Sequence, residues 1–316
     1  STITLNDGNK IPRIGLGVFK APSGKTTQQA ILWALEAGYR HVDTASTYGN
    51  EMDVGIAIAN SGIPREEIFV TTKIWNTGFE DYLHTYHYRD TLTKKRRRSH
   101  TFKIPPKTST AAHTSIMGCL FNQGYESTLK AAETSLEKLQ TGYIDLLILH
   151  SPLPGPEKRA ESYKALQELV KRGLVKSIGV SNYGVKHLKE LLDSNPEIKP
   201  TLNQVEIHPW LARSDIVSFC NEHNIVVEAY SPLTRGQKLN DPTLVRIAKE
   251  YGKTPAQILI RWGLQHNYVT LPKSVSKERI IENANVFDFK IKQDDMETLD
   301  SLDEYLVVAW DPTIAD

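Results

Sequence analysis

The feature that most restricts what this chain can become is a repeated alternation: short apolar runs of strand length are separated by longer segments with apolar residues three and four apart. The runs fall at 14–17, 39–43, 68–73, 144–150, 175–180, 202–206, 225–230 and 268–271, and helical period is clearest at 27–37, 126–139, 161–172, 214–223 and 255–265. This βαβα order predicts a parallel sheet with helices packed outside it. Eight such strands favour an α/β fold of the closed (β/α)8 TIM barrel type, whose working residues collect at the C-terminal ends of the strands. The rival, an open dinucleotide-binding sheet, requires Gly-x-Gly-x-x-Gly after its first strand. Gly15 and Gly17 supply only two of those glycines. Ahead of the barrel, residues 3–11 predict an N-terminal β-hairpin turning at Asp7-Gly8, a dipeptide that accepts positive φ angles.

Bulk properties narrow the function. A chain of 316 residues can form a barrel as one domain, and no shift of composition marks a linker, so 1–316 is expected to be a single barrel domain. The net charge of +1 gives no general attraction for nucleic acid or an acidic membrane. Two cysteines, Cys119 and Cys220, cannot build a disulfide framework, and residues 1–10 are too polar for a secretory signal. No apolar run reaches membrane-spanning length. A cytoplasmic protein is the expectation.

Asp43, Lys73, His150, Ser181, Gln204, Tyr230 and Lys273 lie at or just past strand ends, where chance would have scattered them. Asp43, Tyr48, Lys73 and His150 together read as a proton-donating site. A phenol is a poor acid at neutral pH, with a pKa of about 10, and an ammonium beside it favours the phenolate. Asp43 would keep Lys73 charged, and His150 would orient the reacting oxygen. Taken singly, such an aspartate is more often a helix cap, such a lysine a solvated charge and such a tyrosine a packed aromatic. No His-x-His pair or cysteine cluster suggests a metal site, and none is expected.

The segments Gly15-Leu16-Gly17, Asp43-Thr44-Ala45-Ser46-Thr47-Tyr48-Gly49-Asn50-Glu51, Gly179-Val180-Ser181-Asn182-Tyr183 and Pro272-Lys273-Ser274 with Arg279, Glu282 and Asn283 resemble the aldo-keto reductases, especially short-loop fungal and bacterial members. The resemblance covers nearly the whole chain. It implies hydride transfer from a reduced nicotinamide to an aldehyde or ketone, with Tyr48 as proton donor and His150 bonded to the carbonyl. It implies that Tyr230 underlies the nicotinamide ring, with Ser231 and Leu233 beside it, and that Ser181, Asn182 and Gln204 hold the carboxamide. Lys273, Ser274 and Arg279 match a pocket for the adenosine 2′-phosphate, and Glu282 and Asn283 match adenine contacts, so the implied cofactor is NADPH. Phe19, Trp75, His150, Ser151 and Trp310 are expected to line the pocket of a small-molecule carbonyl substrate. Phe19 and Ser151 stand where the family often has tryptophan, which implies a less aromatic mouth. A monomer or weak homodimer is expected. The alternative is a barrel that binds NADPH to report redox state, with little turnover.

One block departs from this pattern. Residues 78–122 carry eight Lys and Arg against three Asp and Glu, including Lys94-Lys95-Arg96-Arg97-Arg98, and interrupt a connection that is ordinarily short. Joining Thr77 to Gln123 restores a family-like link from strand to helix. The basic run could be a nucleic-acid or targeting patch, and the block a disordered surface loop; the favoured reading is an insertion translated from an unremoved intervening sequence. Its His84 and His87 are too few for a metal site.

Overall fold

A computed structural model of the protein describes residues 1–76 and 123–316. The basic block at 78–122 lies outside the described residues. The chain opens with a hairpin in which β1 (Thr2–Thr4) pairs antiparallel with β2 (Lys10–Pro12), Ile3 facing Ile11. Its turn uses the expected dipeptide: Gly8 has φ +88°, and the Asp7 carboxylate accepts the Asn9 N–H at 2.9 Å.

Eight strands follow, all parallel and paired in chain order: β3 (Leu16–Gly17), β4 (His41–Asp43), β5 (Phe69–Ile74), β6 (Ile144–Leu149), β7 (Val175–Ser181), β8 (Leu202–Glu206), β9 (Val226–Tyr230) and β10 (Val269–Leu271). The expected runs are thus all strands, trimmed or extended by a residue or two. The last strand meets the first at a seam, where Ile14 bridges Thr270 and the N–H groups of Gly15 and Gly17 donate to the carbonyls of Thr270 and Pro272 at 3.0 and 3.1 Å. Glycine is required there. A Cβ on Gly15 would lie 2.6 Å from His41 Nδ1 and 2.7 Å from Leu271 Cδ2, too close for any side chain.

Around the barrel run α1 (Lys25–Glu36), α2 (Glu51–Asn60), α3 (Tyr125–Leu139), α4 (Pro156–Lys171), α5 (Val185–Asp193), α6 (Ser214–Glu222), α7 (Pro242–Glu250), α8 (Pro255–Gln265), α9 (Lys277–Ala284) and α10 (Gln293–Asp300). The largest difference from expectation is α4, which starts five residues ahead of the periodic segment. Gly155 at φ +90° turns the chain, and Pro156 sits in the first turn, where its missing N–H costs nothing. Among the described residues no helix is long and apolar enough to cross a membrane.

Alternate residues of each strand enter different cores. Val42, Val70, Leu147, Leu149, Val205, Val227 and Ala229 pack outward with the helices. Phe69, Leu146, Ile148, Leu202 and Val269 face inward and meet Leu5 and Ile11, from the hairpin segment. The hairpin therefore plugs the N-terminal end of the barrel. Farther along β5, β6 and β8 the inward positions become polar, at Thr71 and Lys73, at His150 and at Gln204.

Candidate active site

Those polar positions build the site from the strand registers. Parallel pairing sets Asp43 beside Thr71 on β5, and Lys73 follows two residues later on the same face. The Lys73 ammonium is wholly buried and donates to both Asp43 oxygens at 2.7 Å, to the Thr44 carbonyl at 2.8 Å and to the Tyr48 hydroxyl at 3.4 Å. Tyr48 reaches it from the turn Ser46–Tyr48, which Ser46 pins by donating to the Lys73 carbonyl at 2.9 Å. Burial pushes the Asp43 carboxyl up from its ordinary value, against the pull of Lys73 and of the Gln204 amide. A buried pair of this kind is poor evidence of selection for stability, because the desolvation it costs offsets most of its attraction.

His150 follows β6, its N–H donating to the Ile74 carbonyl at 3.0 Å. Burial, and then the Lys73 charge, hold the imidazole well below its ordinary value, so it is neutral at neutral pH. The ring stands edge-on to Trp75 at 4.7 Å and to Tyr48 at 5.9 Å, and its Nδ1 is buried without a hydrogen-bond partner among the described residues. Phe19 lies 4.9 Å from Tyr48, and Trp310 packs 5.5 Å from Trp75, which completes an aromatic cup over the hydroxyl. The C-terminal tail is stationed there by Glu206, which accepts the N–H groups of Val308 and Ala309 at 2.8 and 3.0 Å, and by the Arg213–Asp311 ion pair at 2.9 Å. Ser151 is not brought to the cup. It is buried and donates to Asn76 Oδ1 at 2.9 Å.

A second group adjoins the first. Asn182, at φ +61°, donates to the His150 carbonyl at 2.9 Å and accepts the Tyr230 hydroxyl at 2.8 Å. Ser181 donates to the Gln204 carbonyl at 2.8 Å, and Ser231 and Leu233 continue the chain past β9. Gln204 Nε2 donates to Asp43 at 2.8 Å and to Glu228 at 2.7 Å. Farther along the rim, Lys273 follows β10, Ser274 accepts the Ser276 N–H at 3.1 Å, and Arg279 lies in the first turn of α9. Burial, and then repulsion from Arg279, hold the Lys273 ammonium below its ordinary value. Glu282 accepts the Thr254 hydroxyl at 2.8 Å, and Asn283 is buried beside it.

The sequence reading missed Glu228, which is fully buried and two residues before Tyr230 on the inward face of β9. Burial, and then Asp43, push its carboxyl up to about 8. The period of two was the available signal, since residues 226, 228 and 230 share a face. The role of Glu206 in seating the tail was also missed, and no local pattern carries it.

The fold and this rim define an α/β barrel with a buried polar site at the C-terminal ends of its strands. A family model for the Aldo/keto reductase family matches residues 13–304. The glyoxal reductase of Bacillus subtilis is 41% identical over 96% of this chain and 93% of its own length. An aldo-keto reductase from a Medee basin deep-sea metagenome library superimposes with a TM-score of 0.82 at 37% identity, covering 100% of both chains. A Bombyx mori aldo-keto reductase solved in complex with NADP has a TM-score of 0.78 at 31% identity, covering 98% of this chain and 94% of its own. The chain belongs to the aldo/keto reductase family.

Proposed function

We propose that this protein reduces aldehydes or ketones to alcohols with NADPH, and that Tyr48 protonates the carbonyl oxygen. The observation that carries the reading is the buried Lys73 ammonium, shared between the Asp43 carboxylate and the Tyr48 hydroxyl. As negative charge grows on the substrate oxygen, Tyr48 gives up its proton and Lys73 stabilises the phenolate left behind. The neutral His150 ring, beside Tyr48, offers its single N–H to the same oxygen and fixes its direction. Phe19, Trp75 and Trp310 wall off the reacting carbon with apolar surface.

The second group suits the cofactor, which supplies a hydride when bound. Tyr230 offers an aromatic face, with Ser181, Asn182 and Gln204 as carboxamide partners and Ser231 and Leu233 flanking the ring. Lys273 and Arg279 repel one another, and a 2′-phosphate between them would relieve that repulsion. Ser274 would add a hydroxyl to that phosphate, while Glu282 and Asn283 would meet the adenine.

The test follows NADPH oxidation with a panel of small aldehydes and ketones, glyoxal among them because the Bacillus subtilis relative is named for it. Tyr48→Phe should lose about 10³-fold or more in turnover while still binding NADPH. A Tyr48→Phe protein with full turnover overturns the proton-donor role. Wild-type protein that binds NADPH and reduces none of the panel supports the redox-reporting alternative.

A further inference from the structure

Beneath the tetrad the barrel holds a second buried carboxylate that the reaction as described does not use. Glu228 and Gln204 are direct partners in the β8–β9 register. One amide nitrogen, Gln204 Nε2, spans the gap between the two acids, 2.7 Å from Glu228 Oε2 and 2.8 Å from Asp43 Oδ2. Among the described residues the other Glu228 oxygen, Oε1, is buried without a hydrogen-bond partner, and His41 Nε2 stands 3.8 Å from it. A buried carboxyl with an oxygen left unpaired calls for a reason other than stability.

The charges around it can be set out element by element. β4 presents His41 and Asp43, β5 presents Lys73, and β8 presents the neutral Gln204 amide and, one step farther along at the level of Tyr230, Glu206, whose oxygens accept the Val308 and Ala309 N–H groups. Farther along β9 stands the un-ionised Tyr230, its phenol pushed well up by burial. Burial, and then Lys73, hold His41 down to about 3, so it contributes no charge near neutrality. Asp43 and Lys73 cancel. Glu228 is therefore the group whose protonation decides whether this layer is neutral or carries one negative charge.

We propose that Glu228 is a positioning residue that, through the Gln204 bridge to Asp43, sets how firmly Tyr48 holds its proton. The inference rests on Tyr48 being the proton donor. While Glu228 is protonated, the layer is neutral and the Lys73 ammonium acts on Tyr48 unopposed by Glu228. When Glu228 ionises, its negative charge opposes the phenolate and Tyr48 keeps its proton to higher pH. With burial holding the Glu228 carboxyl up at about 8, this exchange falls close to neutral pH.

The sign of the effect follows. Reduction requires protonated Tyr48, so its rate falls as pH rises through the tyrosine's titration. In Glu228→Gln the opposing charge never appears, and the midpoint of that fall in kcat/KM should move down by roughly one pH unit. Alcohol oxidation requires the phenolate, so its rising limb should move down by the same amount. A residue that served only packing would lower Tm and leave both midpoints in place. In the wild-type protein, the infrared stretch of a protonated buried carboxyl should be present near pH 7 and disappear by about pH 9. That measurement needs no variant, and its absence overturns the proposal even where Glu228→Gln does not fold. Tyr48→Phe run alongside separates the failures. If it is inactive while the Glu228→Gln midpoints stay fixed, the Glu228 inference alone is lost. If it turns over fully, the proton-donor reading is lost as well.

Discussion

The two ends of the barrel interior are built by the same strands and behave as different materials. At the N-terminal end Phe69, Leu146, Ile148, Leu202 and Val269 close against Leu5 and Ile11 in a dry plug. One or two inward positions farther along, the same strands present Lys73, His150 and Gln204. A parallel strand buried on both faces thus assigns stability and chemistry by height along one face, which is how barrels of this class divide their work.

The contrast can be broken most severely at Lys73. Lys73→Met strands Asp43 as an uncompensated buried acid and should cost about 3–5 kcal/mol in urea unfolding, with turnover falling about 10³-fold or more. Adding Asp43→Asn should restore much of the stability and none of the activity. A Lys73→Met protein that is both stable and active would show the upper layer to be as inert as the plug. At the other end, Leu202→Ala should cost about 2–5 kcal/mol while leaving kcat and its pH midpoint unchanged in the folded protein. A displaced midpoint would mean that the two ends are coupled. The smallest effect concerns the outer rim, where Arg279→Ala should weaken NADPH by roughly 10- to 100-fold and leave NADH nearly untouched. Equal losses for the two cofactors, measured by fluorescence titration, would remove the 2′-phosphate assignment.

Much of this was legible in the sequence because strand identity and rim position are local properties. Eight apolar runs, the Asp7-Gly8 turn and the polar residues at the ends of seven of those runs needed no long-range information. Glu228 was hidden because a strand apolar on both faces gives no clean alternation, so one acid among valines did not declare its direction. The α4 start was obscured because Pro156 and the charged residues after it break the apolar period that marks the rest of the helix. The grip of Glu206 on Val308 and Ala309 joins residues about a hundred positions apart, and only the closed barrel brings them together.

Asn76 and Gln123 carry a consequence of their own. Gln123 Nε2 donates to Asn76 Oδ1 at 3.1 Å and to the Ser151 carbonyl at 3.3 Å, while the Ser151 hydroxyl donates to the same Asn76 oxygen at 2.9 Å. Departure and return of the polypeptide at this point share one acceptor, like two ends of a thread tied to a single post. The corner where β5, α3 and β6 meet is thus closed by hydrogen bonds among described residues alone.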